Sequence, residues 1–339
     1  MNEVSLVGRI GRKIKKVVLL DRIRRRIRFA RGMRPYWRLS RIVPTPAHPE
    51  PLETFAVYAL VMAHNEEDII GDSVANAFAQ GADRVLLVDH HSSDSTVEIA
   101  LRNGAELIAT FDQESFNDDL RIDLMNSIVD EVSTTSQHEH IWWLWFDADE
   151  FPRPASGGSI RQTLDRLDRE IRLVGARSLD HYPTPGQPEH VPGIHPASYQ
   201  LLAREHHYPF CTRHHRKHPL QRWDREGAPL RATGGFHAAT CSSGPIAEAD
   251  LDLVIHHIDW RNRNAVERRL AADGRLEAPR TNSAFYARLR SIEAVYSYDW
   301  ANVWDHHPLA RRPGIKVQDW REMKPRLSPD LPTWTLKDE

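Results

Sequence analysis

Two carboxylates separated by one residue, Asp147 and Asp149, follow the apolar run Ile141-Trp-Trp-Leu-Trp-Phe146 without a break. Side chains two apart on an extended segment point the same way, so this pair can face one divalent cation. Six apolar residues ahead of it make a chance solvent turn a poor explanation. Two earlier stretches have the same form. Phe55-Ala-Val-Tyr-Ala-Leu-Val61 runs into a loop carrying Ala63, Asn65 and Glu66, and Arg84-Val-Leu-Leu-Val88 runs into Asp89. The absent motifs narrow the chemistry. There is no GxGxxG for a dinucleotide, no GxxxxGK[ST] for a triphosphate, no HExxH and no GxSxG. An EF-hand fails because Phe151 occupies the next ligand position. A nucleotide held by carboxylates and a divalent cation, with few glycines, remains.

The elements that position these residues follow from periodicity. After the first loop, Ile69, Ile70, Val74, Ala77 and Phe78 recur at helical spacing. Ser95-Thr96-Val97-Glu98 reads as a capping box opening a second helix, and Glu106 to Phe111 as a third strand. Asn117 to Val132 reads as a helix with Leu120, Leu124, Ile128 and Val132 on one face and Arg121 beside it. The run 141–146 is apolar throughout and is predicted to be buried on both faces. Alternating strands and helices give an α/β fold with an open, mostly parallel, Rossmann-like sheet flanked by helices. Ligands of such sheets bind beyond the carboxyl ends of the strands, so one pocket should collect Asn65, Glu66, Asp89, Asp147 and Asp149. Helix capping alone would account for Asp94 and Ser95, and equally for Asn65.

These residues resemble glycosyltransferases of family 2, which have the GT-A fold, in particular a bacterial branch marked by Asp-x-Asp-Glu-Phe. Here that motif is Asp147-Ala148-Asp149-Glu150-Phe151. Val61 to Glu67 resembles the family's first-strand loop, and Leu87 to Thr96 its Asp-rich second loop, with His90 where many relatives carry a second Asp. The resemblance implies that the backbone around Ala63 and Asn65 borders the nucleotide and that Asp89 contacts base or ribose. It implies a basic residue, Arg121, near the nucleotide. Asp147 and Asp149 match the metal-binding pair, with Asp149 the direct ligand to Mn²⁺ or Mg²⁺ on the diphosphate. The implied activity is inverting, metal-dependent transfer of a sugar from a nucleotide-sugar donor, UDP-linked in the first instance. The acceptor would be a glycan or lipid-linked molecule in cell-envelope polysaccharide synthesis.

The second half is less explicit. Ser159 to Glu170 reads as a helix and Leu173 to Leu179 as a strand, followed by a loop from Pro183 to Pro196. His206, His207, His214, His215 and His218 crowd together with Arg213, Arg216 and Lys217. A metal-dependent hydrolase would use such histidines as ligands, but adjacent pairs do not easily face one ion, and their basic neighbours suit a diphosphate-facing or acceptor-facing surface. Gly234-Gly235-Phe236-His237 and Ile255 to Arg261 resemble later landmarks of the same branch. His237 is a candidate to complete the metal shell or meet phosphate, and equally a structural histidine. For the general base, Asp180, Glu248 and Asp259 are candidates between which the sequence does not choose. Asp180, taken to end a strand beside His181, is the one named. A non-catalytic sugar-binding scaffold is the remaining alternative.

The composition fits a folded protein with a substantial core: 339 residues, 40% hydrophobic and 27% charged. Two cysteines, Cys211 and Cys241, make neither a disulfide framework nor a zinc module, though one bridge between them stays open. Neither a membrane-spanning run nor a signal-peptide hydrophobic region is read, so a cytoplasmic protein is expected, at most peripheral on the inner face of the plasma membrane. The net charge of -2 conceals 14 basic residues against two acids over residues 1–43, leaving 31 basic and 45 acidic residues beyond. Val7, Ile10, Ile14, Val17 and Val18 share one helical arc opposite Arg9, Arg12, Lys13 and Lys16, which predicts a basic amphipathic arm suited to an anionic membrane surface. Nucleic acid is not the expected partner. Pro44, Pro46, Pro49 and Pro51 make a linker over 44–54, the catalytic domain spans 55–270 (55–151 for the nucleotide, 152–270 for the acceptor), and 271–339 forms a helical or irregular extension. Removing residues 1–43 is expected to abolish co-sedimentation with anionic vesicles and leave donor affinity unchanged.

Overall fold

An eight-residue strand with six consecutive apolar side chains needs a core on each face. Strand β5 (His140–Asp147) has both. Trp142, Leu144 and Phe146 lie in one buried cluster, and Ile141, Trp143 and Trp145 in another. The computed structural model describes residues 40–43, 46, 48–111, 118–182, 202–205, 216–233, 236–249, 251, 253–258, 261 and 317–319. Before β5 the chain forms β1 (Ser40–Ile42), β2 (Ala56–Ala63), α1 (Ile70–Ala79), β3 (Arg84–Asp89), α2 (Thr96–Arg102), β4 (Glu106–Thr110) and α3 (Asp118–Thr135). After it come β6 (Glu150–Pro154), α4 (Ile160–Leu164), β7 (Leu173–Tyr182), β8 (Leu202–Glu205), β9 (Arg216–Asp224), β10 (Leu230–Thr233), β11 (Ala238–Cys241), β12 (Ile246–Ala249), β13 (Leu253–His257) and β14 (Val317–Asp319).

Among the described residues, twelve strands share one sheet whose main path runs β1-β12-β7-β9-β5-β2-β3-β4, while β10 and β11 form a separate hairpin. The half β5-β2-β3-β4 is parallel, as expected. The other half is mixed. β9 lies antiparallel between β5 and β7, so its first residues reach the edge where β5 ends. β7 is long enough to fork. Its first residues pair with β12 and β9, and its last with β13 and β8. Helix α3 covers one face through Ile122, Met125, Ile128 and Val129, and α1 and α4 cover the other through Ile70, Val74, Ile160 and Leu164. Among the described residues no helix is long and apolar enough to cross a membrane.

Several local expectations change. The helix read over 159–170 stops at Leu164, because Asp168 is pinned by the backbone N–H groups of Glu50 and Glu170 and turns the chain back toward β7. Ser159 does form a capping box, with Gln162. The box read at Ser95 does not form. Asp94 Oδ1 accepts from the Thr96 N–H at 3.0 Å instead, and the Ser95 N–H donates to Glu67. Asp180 lies inside β7 rather than at its end, since that strand continues through Tyr182 beside β8. Cys241 is a free thiol. Ser40–Ile42, the last residues of the basic segment, pair with β12, and β14 lies within the predicted extension. Residues 1–39 and the helices read at 265–276 and 283–296 lie outside the described residues.

Trp143 is buried between α3 and Tyr58, its indole N–H donating to Ser133 Oγ at 2.9 Å. Trp143→Ala is expected to cost about 3–5 kcal/mol by urea denaturation, through the cavity and the stranded Ser133 hydroxyl.

Candidate functional site

Strand register sets the floor of the site. Ala63 lies opposite Asp89, Asp89 opposite Thr110, and Met62 opposite Asp147, so β2, β3, β4 and β5 end together. The loops after β2 and β3 are laced to one another. Asn65 adopts a left-handed φ of 55°, donates its backbone N–H to Ser92 Oγ (3.0 Å) and accepts the Ser93 N–H on Oδ1 (2.8 Å). Asn is among the residues that tolerate this conformation. Asn65 is therefore a clamp between loops and not a helix cap; α1 begins only at Ile70, with Glu66 O receiving the Ile69 and Ile70 N–H groups. The Glu66 N–H donates to Thr96 Oγ1 at 2.7 Å, and Ala63 O receives the His90 N–H. Asp89 is buried and accepts the Ser92 N–H at 3.1 Å, shaping its own loop. The His64 Nδ1 faces the His90 carbonyl at 2.6 Å and must carry the proton, since a carbonyl only accepts. The His90 ring stacks on Phe111 with centroids 4.5 Å apart.

The carboxylates after β5 do not share one direction. Residues 148 and 149 form a turn, and Glu150 opens β6 antiparallel to β13. The extended geometry expected for Asp147 and Asp149 is corrected accordingly, because β6 must fold back to pair with β13. Asp147 goes one way: Arg121 Nη1 is 2.5 Å from Oδ1 and Lys217 Nζ is 3.4 Å from Oδ2, with Lys217 also bonded to Glu150. Burial pushes the Asp147 carboxyl up, but Arg121 and Lys217 outweigh it and hold the group well below the usual carboxylate range. Burial and the neighbouring Asp147 push Glu150 up, against Lys217. Arg121 also lies over the ring of Phe236, 5.3 Å from its centroid, in the turn between β10 and β11.

Asp149 goes the other way. Its Oδ2 lies 3.7 Å from His257 Nε2 and 3.9 Å from Arg261 Nη1. Arg261 is buried and bound by Glu66 and by Asp68 at 2.9 Å. Burial alone would lower its pKa; Glu66, Asp68 and Asp149 outweigh that and keep it charged. Arg121 and Lys217 stand beside Asp147 and Glu150, and Arg261 stands beside Asp149, Glu66 and Asp68, with His257 within electrostatic reach of Asp147 and Glu150 as well as Asp149. Asp149 and His257 are an oxygen and an imidazole donor close enough to share one ion. Among the described residues no three His, Cys, Asp or Glu side chains converge, so phosphate oxygens and water would complete the shell, as is usual for Mg²⁺ at substrate phosphates.

The other candidates are distributed as follows. His237 lies in the β10–β11 turn, and its carbonyl faces His218 Nδ1 at 3.0 Å. Glu248 meets His218 Nε2 at 3.1 Å. With Nδ1 donating to that carbonyl, Nε2 faces the carboxylate, so Glu248 is engaged by His218. Asp180 has its Cα opposite those of His257 and Arg204. Asp259, His206, His207, His214 and His215 lie outside the described residues. Sequence reasoning did not single out Asp68, His257 or Arg261, and took Lys217 only as part of a basic stretch. His257 and Arg261 belong to the landmark at 255–261, which was the available signal.

No family profile and no curated protein matches this sequence. Solved structures do. A mannosyltransferase from Pyrobaculum calidifontis, in complex with GDP-Man and Mn²⁺, is 13% identical, with 95% of this chain and 96% of that chain covered and a TM-score of 0.35. Glucosyl-3-phosphoglycerate synthase from Mycobacterium tuberculosis, in complex with Mn²⁺ and UDP among other ligands, is 14% identical, with a TM-score of 0.25. That match covers 36% of this chain and 44% of the synthase, less than half its length. Superpositions this loose carry no argument about the chain's activity.

Arg261→Met is expected to destabilise the fold by about 3–5 kcal/mol in chemical denaturation, since it strands Glu66 and Asp68 without their cation. Arg261→Lys should rescue only part, because a lysine cannot form the forked contact to Asp68.

Proposed function

We propose that the chain is a metal-dependent glycosyltransferase of the GT-A type, related to family 2, taking a nucleotide-sugar donor. The observation that carries this reading is the convergence of Asp147, Asp149, Glu66 and Asp68 at the ends of the parallel strands, with Arg121, Lys217, Arg261 and His257 around them. The loops fixed by Asn65 and Asp89 form the nucleoside end, with Ala63 and Glu66 bordering it and Asp89 toward the ribose or base. Asp149 and His257 would hold Mn²⁺ or Mg²⁺. When bound, that ion supplies Lewis-acid stabilisation of a leaving diphosphate. Asp147 holds Arg121 in place beside the phosphates, and the hairpin turn carrying Phe236 and His237 closes this side.

Transfer then proceeds by single displacement with inversion: an acceptor hydroxyl attacks the anomeric carbon opposite the leaving phosphate, and a base takes its proton. Glu248 is engaged by His218, and the β7 register brings the Asp180 backbone level with His257. Asp180 is therefore our candidate base. The acceptor is a glycan or lipid-linked molecule of cell-envelope polysaccharide synthesis, reached from the inner face of the membrane through the basic arm.

Calorimetric titration of UDP, GDP and dTDP, with and without Mn²⁺, tests the reading. One nucleotide should bind in a cation-dependent manner. Asp149→Ala and His257→Ala should each abolish the cation dependence with a melting temperature near wild type. Absence of binding by all three nucleotides, or a large loss of melting temperature in both variants, would overturn it.

A further inference from the structure

Lys217 lies one residue inside β9, and only the antiparallel course of that strand brings it to the edge where β5 ends. Its side chain is 14% exposed, so the ammonium is largely withdrawn from bulk water. It bonds to Glu150, which is buried, and stands 3.4 Å from Asp147 Oδ2. An ammonium carries three donors, and the longer of these contacts lies beyond the usual range for a strong hydrogen bond. Arg121 already occupies the other oxygen of Asp147. Asp147 therefore has a cation beside each oxygen.

We infer, on the reading that the site takes a nucleotide-sugar donor, that Lys217 binds the leaving group: its ammonium, beside Arg121, contacts the donor's diphosphate, and Asp149 and His257 would hold a divalent cation. As the bond between the anomeric carbon and the phosphate oxygen breaks, its electron pair stays on the diphosphate, and Lys217 offsets that charge without transferring a proton. The acceptor oxygen forms the new bond and gives its proton to the base. A lysine suits this role because it is a flexible point charge, able to exchange Glu150 for a phosphate oxygen without a fixed fork geometry. In this arrangement Glu150 holds the ammonium until the donor arrives, and competes with the diphosphate for it.

The test compares the nucleoside diphosphate that wild type binds best with its parent nucleoside, both in Mn²⁺ and read by ligand-observed NMR, which reaches millimolar affinities. K217M should weaken the diphosphate at least tenfold and the nucleoside less than twofold, and K217R should stay within threefold of wild type for both. E150Q should hold or tighten diphosphate binding. Because K217M strands the Glu150 charge, the double variant K217M/E150Q removes both charges and should show the same selective loss. Equal weakening of both ligands, no weakening of either, or an E150Q loss as large as that of K217M would make the pair merely structural and overturn the inference. Failure of wild type to bind any nucleoside diphosphate would overturn the donor reading and this inference together.

Discussion

Charge is the constraint on which the working edge of this sheet depends. Glu66, Asp68, Asp147, Asp149 and Glu150 all reach one small region, and all are at least partly withdrawn from water. Like charges brought together at reduced dielectric repel by several kcal/mol per close pair unless cations intervene. Arg121, Lys217 and Arg261 intervene, each from a different element: helix α3, strand β9 and the segment after β13. Buried ion pairs add little net stability over an apolar core, yet losing one partner is costly. Each of these carboxylates lies beside a cation in the folded chain.

The same constraint explains why the sheet is not parallel throughout. A parallel strand between β5 and β7 would begin at the far edge and deliver its first residues away from the site. Antiparallel β9 delivers Lys217 to Asp147 and places the backbone N–H of His218 on Phe236 O at 2.7 Å. That bond, with the His218 contacts to His237 O and Glu248, ties the β10–β11 turn to the sheet. Phe236 then packs against Trp145 and lies under Arg121, so the cation on Asp147 is oriented from both sides.

The parallel half was legible because its signals are local. An apolar run followed by loop residues marks β2, β3 and β5, and the double-sided burial of β5 follows from its lack of alternation. The errors arise where a distant partner overrules a local preference. Ser95 has the sequence of a cap, but its N–H is drawn to Glu67 and the capping acceptor is Asp94. Asn65 has the composition of a cap and is used between loops, through Ser92 and Ser93. Asp147 and Asp149 were read on an extended segment because nothing local announces that β6 turns back to meet β13. Arg261 stands 195 residues from Glu66, a separation at which periodicity and motif spacing are silent.

A carboxylate motif of this kind is ambiguous until its counter-ions are known. Asp-x-Asp-Glu on its own implies three equivalent acidic groups and a single cation among them. With counter-ions in place, Asp147 and Glu150 lie beside Arg121 and Lys217, and Asp149 lies beside His257 and Arg261. A phosphate that binds Lys217 or Arg121 competes with the carboxylates already beside them, whereas a divalent ion needs oxygen and imidazole donors of the kind that Asp149 and His257 offer. Under the proposed reading, the diphosphate meets the cation delivered by β9 while the turn after β5 and the end of β13 would hold the metal. The orientation of binding then follows from which donors each element delivers, before any contact to a sugar or base is made.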